Sequence, residues 1–475
     1  MECVNHAGAI AGRAIRFRLI GAASLFAFAA PIGLAGQSGA GGPVKRDSVK
    51  TTNTESANRL QLGTVYDELR TASPRIQAAE ALVRAARARI PGAGLPPDPQ
   101  VQLGFMNYEL PSLKPMEIVG MNQLQVMQML PIGGKLGLSK SIAKSRATAQ
   151  SERAQETWWE VRAQAAMPFY ELYRADQSLA VMRETLRLLA DIREITAVMY
   201  RVGNGNQTDV LRAQVEIARM TEDTLRMQAM RSGMSARLNA VLDRSQQAQV
   251  ASPALPRFPG YIPSLDSLEQ LAYATRPMLK AGAADLSAAE SMERLARKEL
   301  LPDLQLGVQY AQRGKTGIDM AGSSIGGTER MGSLMIGASV PVFARSRQLK
   351  GREEATAMRQ MAASELATMR ADTRGVVGER YADLVRARRL TVLYRSTIIP
   401  QARATVSSAL ASYRVGKVDF MTLLDNQMTV NKYSQDLSTL EAEEGRAWAE
   451  LEMLTGTELI ETRESSAAPL SGDKK

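Results

Sequence analysis

Two copies of one pattern run through the chain. Pro74-Arg75-Ile76-Gln77 opens a stretch that closes on Pro97-Asp98-Pro99-Gln100-Val101-Gln102-Leu103-Gly104. Pro277-Met278-Leu279-Lys280 opens another, closing on Pro302-Asp303-Leu304-Gln305-Leu306-Gly307. Further on, Leu130-Pro131-Ile132 answers to Val340-Pro341-Val342, and Tyr200-Arg201-Val202-Gly203 to Tyr413-Arg414-Val415-Gly416. After each of these last glycines, Leu211 and Gln214 match Leu424 and Gln427 at the same spacing. The offset between copies grows only from 203 to 213 along the whole unit. A pattern repeated at that length predicts one structural unit built twice, over 58–251 and 265–456.

The two copies share a grammar. A helical stretch (58–89, and 265–300) ends at Pro and Asp; two short strands follow (98–107 and 121–131, then 303–311 and 331–341). A long stretch rich in Ala, Leu, Met, Glu, Arg and Gln comes next (136–200 and 345–413), then the Tyr-Arg-Val-Gly break and a further helix. With aromatics at only 5% of the chain, this composition suits long helices and a mostly α fold with a small β part. Continuous helix over each long stretch would reach about 95 Å at 1.5 Å per residue. Pro168 and Pro400 are expected to kink or restart these helices. The segment 252–264, with Pro253, Pro256, Pro259 and Pro263, reads as an extended connector, and the polar tail 457–475 as disordered.

The strands alternate with period two, as a sheet with one greasy and one wet face requires. Leu304, Leu306, Val308 and Tyr310 alternate with Gln305, Gly307 and Gln309; Leu334, Ile336, Ala338 and Val340 with Ser333, Gly337 and Ser339; Val101, Leu103 and Phe105 with Gln100, Gln102 and Gly104. The segment 121–130 alternates poorly. Strands of about ten residues match a bilayer crossed at a barrel's tilt, and a Gln, Ser and Gly face suits a water-filled lumen. The rival arrangement is two small hairpins covering a soluble helical core. Four strands do not close a barrel, so the membrane reading requires several protomers. Gly322, Gly326 and Gly327 fall in a Ser/Gly-rich hairpin loop.

Arg13, Arg16 and Arg18 precede an apolar run over 19–30 that exits through Pro31 and small residues. These are the parts of a secretory signal, read here as 1–35, followed by a flexible leader over 36–57. No Cys follows the run to take a lipid. Cys3 and His6, the only thiol and imidazole of the chain, leave with the signal. The mature chain then lacks disulfides, Cys/His zinc sites, thiol nucleophiles and histidine bases, so no catalytic residue and no cofactor is expected. The net charge of +10 falls to about +8 on cleavage. Charges alternate in sign along the helices, as in 345–354, which reads as solvated faces and not as a nucleic-acid surface. No later stretch is apolar for long enough to be a membrane-spanning helix.

These residues resemble the TolC family of outer-membrane efflux proteins over about 58–460. The resemblance rests on the duplicated helix–hairpin–long-helix unit, on the Tyr-x-x-Gly break followed by Val210-Leu211-Arg212-Ala213-Gln214, and on the strand-ending prolines. It implies a homotrimer with a shared 12-stranded transmembrane barrel and an α-helical tunnel into the periplasm. It further implies docking on a periplasmic adaptor and an inner-membrane pump, with efflux driven by that pump. The segments after Tyr200, Gly203, Tyr413 and Gly416 would form the periplasmic tip. Carried across residue by residue, Asp425 takes one of two acidic gate positions of the second copy. Thr422 takes the other, a departure that would make the gate less acidic, and Asp209 holds the acidic place of the first copy. Converging carboxylates repel each other and attract cations, whereas aspartate near a helix start is also favoured by the dipole and by capping. Gly203 and Gly416 suit a left-handed helix end, and Tyr200 and Tyr413 suit packing.

Methionine is abundant, with 24 in the chain, and Met106, Met116, Met121, Met127 and Met129 gather around the first hairpin. Thioethers are soft-metal ligands, and Pro131-Ile132-Gly133-Gly134-Lys135 resembles the strand end of the family's heavy-metal subgroup. Methionine is equally an ordinary filler of helical and lipid-facing surfaces. No resident metal site is assigned; the cargo implied is heavy-metal cations or small toxic compounds. Two readings of other classes stand beside the efflux duct. One is an exported helical coiled-coil scaffold that binds partners without forming a pore, the other a periplasmic metal chelator.

Overall fold

The computed structural model describes residues 59–106, 108–109, 111, 114–115, 121–318 and 324–461. The signal, the leader and the end of the tail lie outside the described residues. Each repeat opens with a pair of helices: α1 (Leu62–Ala72) and α2 (Pro74–Ala93), then α5 (Leu265–Thr275) and α6 (Pro277–Lys298). The sequence predicts one helical stretch at each place. The split falls one residue before the prolines, where Ser73 (ψ 116°) and Arg276 (ψ 120°) are extended. Proline disfavours helical backbone in the residue before it, yet is well placed at the first turn of the next helix.

The strands follow: β1 (Gln100–Met106), a short pair β2 (Tyr108–Glu109) and β3 (Lys114–Pro115), and β4 (Met121–Leu130) in the first repeat; β5 (Asp303–Ile318) and β6 (Ser324–Ser339) in the second. β1, β4, β5 and β6 form one antiparallel sheet in that order, so the two repeats join along the β4–β5 edge. The second hairpin is longer than the alternation predicts. Gly326 and Gly327, expected in its loop, pair with Thr316 and Lys315 inside the ladder; Gly322 is outside the described residues. Backbone pairing there continues past the point where side-chain alternation stops, so hydropathy alone does not mark the strand ends.

The long helices are α3 (Lys135–Arg201) and α4 (Gln207–Val241) in the first repeat, α7 (Gln348–Leu393), α8 (Ile399–Arg414) and α9 (Phe420–Thr455) in the second. Pro168 and Pro400 behave differently. A π-helical turn, Tyr394–Ile398, precedes Pro400, which then sits in the first turn of α8, where its missing N–H is harmless. Pro168, against expectation, lies inside one unbroken 67-residue helix. Its neighbours Ala165, Ala166, Phe169, Tyr170 and Leu172 are fully buried. Burial contributes about 1.5–3 kcal/mol for each large side chain, which offsets the roughly 3 kcal/mol cost of an interior proline.

The core is strung along the helices as three clusters. One gathers Leu62, Leu69, Phe169, Tyr170, Leu172 and Leu238; a second Leu268, Val377, Leu384, Trp448 and Leu451; the third Leu189, Met220, Tyr413, Phe420 and Leu424. Glu156 on α3 is buried against the start of α6, where it accepts hydrogen bonds from the Met278 N–H (3.1 Å) and from Arg276 (3.2 Å). Desolvation raises its pKa above the usual carboxylate range, and Arg276 opposes that shift. Residues 457–461, expected to be disordered, are folded: Ile460 is buried, and Leu459 and Ile460 donate their N–H groups to Glu452. A carboxylate that satisfies two backbone donors holds the chain down after the helix ends.

Gly445 in α9 faces Tyr170 so closely that a Cβ there would collide with the phenol ring. Gly445→Ala is therefore expected to destabilise the protein by about 1–3 kcal/mol, the range of an overpacked core. The check is a denaturant midpoint; unchanged stability would mean that the ring moves aside freely.

Candidate functional site: the sheet faces and the helical turns

The sheet separates residue types by face. One face carries Val101, Leu103 and Phe105 of β1, Leu124, Val126 and Leu130 of β4, Leu304, Leu306, Val308 and Tyr310 of β5, and Leu334, Ile336 and Ala338 of β6. The register aligns them in rows, Val101–Val126–Val308–Leu334 and Leu103–Leu124–Tyr310. Among the described residues no element covers this face: Val101 is 64% exposed, Leu103 71%, Ile336 71% and Leu334 72%. Apolar rows left bare at that level require a non-aqueous neighbour. The opposite face holds Gln100, Gln102, Gln123, Gln125, Gln305, Gly307, Gln309 and Ser333, with Gln309 donating to Gln123 at 2.7 Å. Above Tyr310, Gln312 and Arg330 end the apolar band, and Arg313 and Glu329 take the same level on the opposite face. Among the described residues no strand pairs with the outer edge of β1 or β6.

At the helical end, the breaks after Tyr200 and Tyr413 have the same geometry. Gly203 (φ 77°) and Gly416 (φ 70°) are left-handed. Gly203 N–H donates to Tyr200 O (3.1 Å) and Asn204 N–H to Met199 O (2.9 Å); Gly416 N–H donates to Tyr413 O (3.0 Å) and Lys417 N–H to Ser412 O (2.9 Å). Each is a helix end closed by paired 5→2 and 6→1 bonds, which needs glycine at its left-handed position. The third core cluster draws on α3, α4, α8 and α9, so both turns lie at one end of the bundle.

The tyrosines of the two turns diverge. Tyr413 is 6% exposed and packs edge-on against Phe420, whereas Tyr200 is 47% exposed. Burial raises the Tyr413 hydroxyl pKa, and the nearby charge of Asp209 adds to it. Asp209 lies in the first turn of α4, close enough for its charge to act on Tyr413 of the other turn. Thr422 lies in the first turn of α9 and donates its hydroxyl to Asp419, the N-cap residue. That bond holds the Asp419 carboxyl below its ordinary pKa. Asp425 lies beyond the first turn, exposed, on the same side of α9 as Thr422 and away from Leu423, Leu424 and Gln427, which pack inward. Helix-dipole stabilisation fades within the first turn, so it accounts for Asp209 but not for Asp425. Asp419 escapes the residue-by-residue reading; its signal is an acidic residue directly before the helix, three positions ahead of Thr422.

Among the described residues no three His, Cys, Asp or Glu side chains gather in a metal-binding group, and no helix is long and apolar enough to cross a membrane.

The sequence profile of the outer membrane efflux protein family matches residues 65–244 and again 268–457, once on each repeat. No curated protein sequence matches the chain. Among solved structures, the outer-membrane channel OprN superposes with a TM-score of 0.70 at 18% identity, over 84% of this chain and 90% of its own. CusC does so with 0.69 at 16% identity, over 84% and 92%. The outer membrane protein VceC of Vibrio cholerae follows with 0.67 at 16%, over 84% and 96%. At these identities the likeness is one of fold. With the duplicated profile covering most of its length, the chain belongs to the outer membrane efflux protein family.

Proposed function

We propose that the chain is the outer-membrane duct of a tripartite efflux system. Three copies close a 12-stranded barrel edge to edge, β6 of one against β1 of the next, and their helices continue as a periplasmic tunnel. The observation that carries this reading is the four-stranded sheet with one uncovered apolar face, one amide-rich face and two open edges. A closed barrel in lipid satisfies all three at once. The scaffold alternative would need that apolar face to pack on protein, and among the described residues nothing covers it.

The duct is passive: a partner pump supplies energy and selects the cargo, whether heavy-metal cations or small toxic compounds. The turns at Gly203 and Gly416, with exposed Tyr200, Val202 and Val415, form the tip that meets the adaptor. Asp425, with Thr422 beside it, faces the tunnel axis and, repeated three times, makes the cation-attracting constriction; Asp209 supports the turn next to Tyr413.

The first test is the mass of the detergent-extracted protein from separated envelopes, by light scattering with the detergent subtracted. A trimer from the outer-membrane fraction is expected; a monomer in the periplasmic fluid would end the duct reading. For the gate, Asp425→Ala is expected to lower the pore's cation preference a fewfold, on the order of 1 kcal/mol for a hydrated charge pair. Unchanged selectivity and conductance in planar bilayers would remove Asp425 from the gate.

A further inference from the structure

The methionines of the sheet are not scattered. Met106, Met121, Met127, Met129, Met331 and Met335 all fall on the glutamine-bearing face, and none falls on the apolar face. This explains much of the poor alternation of 121–130: in β4, Met121, Gln123, Gln125, Met127 and Met129 lie on one side, and Leu124, Val126 and Leu130 on the other together with Asn122 and Gln128. Methionine as lipid-facing filler belongs with the valines and leucines. Among the side chains described it is the one large apolar residue type on the amide-rich face, where a barrel lumen is ordinarily polar.

Two of these side chains converge, and a third lies next to them on the same face. Met127 and Met335 share one cross-strand row with Gly307 between them. A Cβ built on Gly307 would stand 3.4 Å from Met127 Cγ and 3.3 Å from Met335 Cε, so both thioether chains lean over the glycine from opposite sides. Gly307 is buried beneath them. Met129 is the next residue of β4 on the same face, beside Gln305. The neighbours in these rows, Gln100 and Gln305, and in the adjoining row, Gln125 and Gln309, are neutral. The nearest charges on this face lie at its two ends. Asp303 is paired with Lys135 (2.7 Å) at the lower end, and Arg313 and Glu329 sit opposite each other at the upper.

We propose that Met127, Met129 and Met335 form a thioether site for a soft monovalent cation of the Cu(I) or Ag(I) class. Thioether sulfur is a neutral, polarizable donor that prefers such ions over hard divalent cations, and two or three such donors without a thiolate hold the ion loosely. A loosely held ion is one that a transit surface can release. That this face lines the duct rests on the channel reading above; the binding site itself does not.

The test uses full-length detergent-extracted protein carrying ¹³C-methyl methionine, titrated with silver nitrate in chloride-free buffer, with bound silver counted by equilibrium dialysis. The Met127, Met129 and Met335 methyl resonances are expected to shift with Ag(I) and to stay still with Mg²⁺. Met127→Leu/Met335→Leu, which keeps the side-chain volume, is expected to lose the bound silver, while Met358→Leu/Met361→Leu on α7 retains it. Unmoved methyls in the unaltered protein, or silver binding undiminished in the Met127/Met335 variant, overturns the proposal. The methyl shifts decide even if that variant fails to assemble. The channel reading fails separately, on oligomer mass and membrane fraction, which silver binding does not report.

Discussion

Replacing Leu334 with lysine is expected to remove the protein from the outer membrane as an assembled species. Leu334 ends the row Val101–Val126–Val308–Leu334 and is among the most exposed side chains of the sheet. A lysine on the lipid face near the bilayer midplane costs about 2–4 kcal/mol per copy. In a trimer that cost recurs three times, against the total of about 5–15 kcal/mol that ordinarily separates folded from unfolded protein. The matched control is Ser333→Lys, one residue away and pointing to the opposite face, which is expected to assemble normally. The readout is the fraction of protein recovered as oligomer from outer-membrane fractions. Equal recovery of the two variants would mean that the apolar face does not meet lipid.

The second large effect is expected in the helical part. Arg162 and Glu452 are buried, with side chains 3% and 2% exposed, and pair at 3.1 Å. Arg162 also reaches Glu458 at 2.5 Å and stacks on the rings of Tyr66 and Trp159 at 4.1 and 5.0 Å. Glu452 holds the folded end of the chain through Leu459 and Ile460. Arg162→Ala leaves that carboxylate buried without its cation, and removing one partner of such a pair costs about 3–5 kcal/mol. Arg162→Met/Glu452→Gln is expected to recover much of the loss, because a neutral amide still accepts the two backbone N–H groups.

The pH dependence has a definite sign. Burial already raises the Glu452 carboxyl above the usual range, and Arg162 is the main opposing influence. Without Arg162 the folded-state pKa rises further above the unfolded value. The deficit of Arg162→Ala is then fully present above that raised pKa and shrinks as pH falls through it. Denaturant midpoints measured at several pH values check both statements. A deficit that is small, or that does not shrink on acidification, would show that Glu452 finds another partner.

Local rules carried far in this protein. The helical stretch at the head of each repeat, the alternating strands and the Gly203 and Gly416 helix ends all follow from periodicity or from the geometry of one residue, which a linear sequence displays directly. The errors share another cause. Pro168 reads as a point where the helix kinks or restarts because its local cost is visible in the sequence, while the burial of Phe169, Tyr170 and Leu172 that lets the helix run on unbroken is not. Residues 457–461 read as loose tail because the acceptor that orders them, Glu452, is buried through a partner nearly 300 positions away in the chain. Tyr200 and Tyr413 are twins in sequence, yet one is exposed and the other packs on Phe420, since the bundle around the two turns is not symmetric.

The methionines show the same division within a single strand. Hydropathy counts Met127 and Met129 with Leu124 and Val126, so β4 loses its alternation on paper; strand register puts the two sets on opposite faces. The sequence by itself determined the duplication, the element types and the turns, because these depend on spacing and backbone preference within a few residues. Only the tertiary structure decided which faces stay uncovered, which prolines a helix tolerates and which side chains meet over Gly307. Those outcomes are sums of contacts between residues far apart in the chain, and no local pattern encodes them.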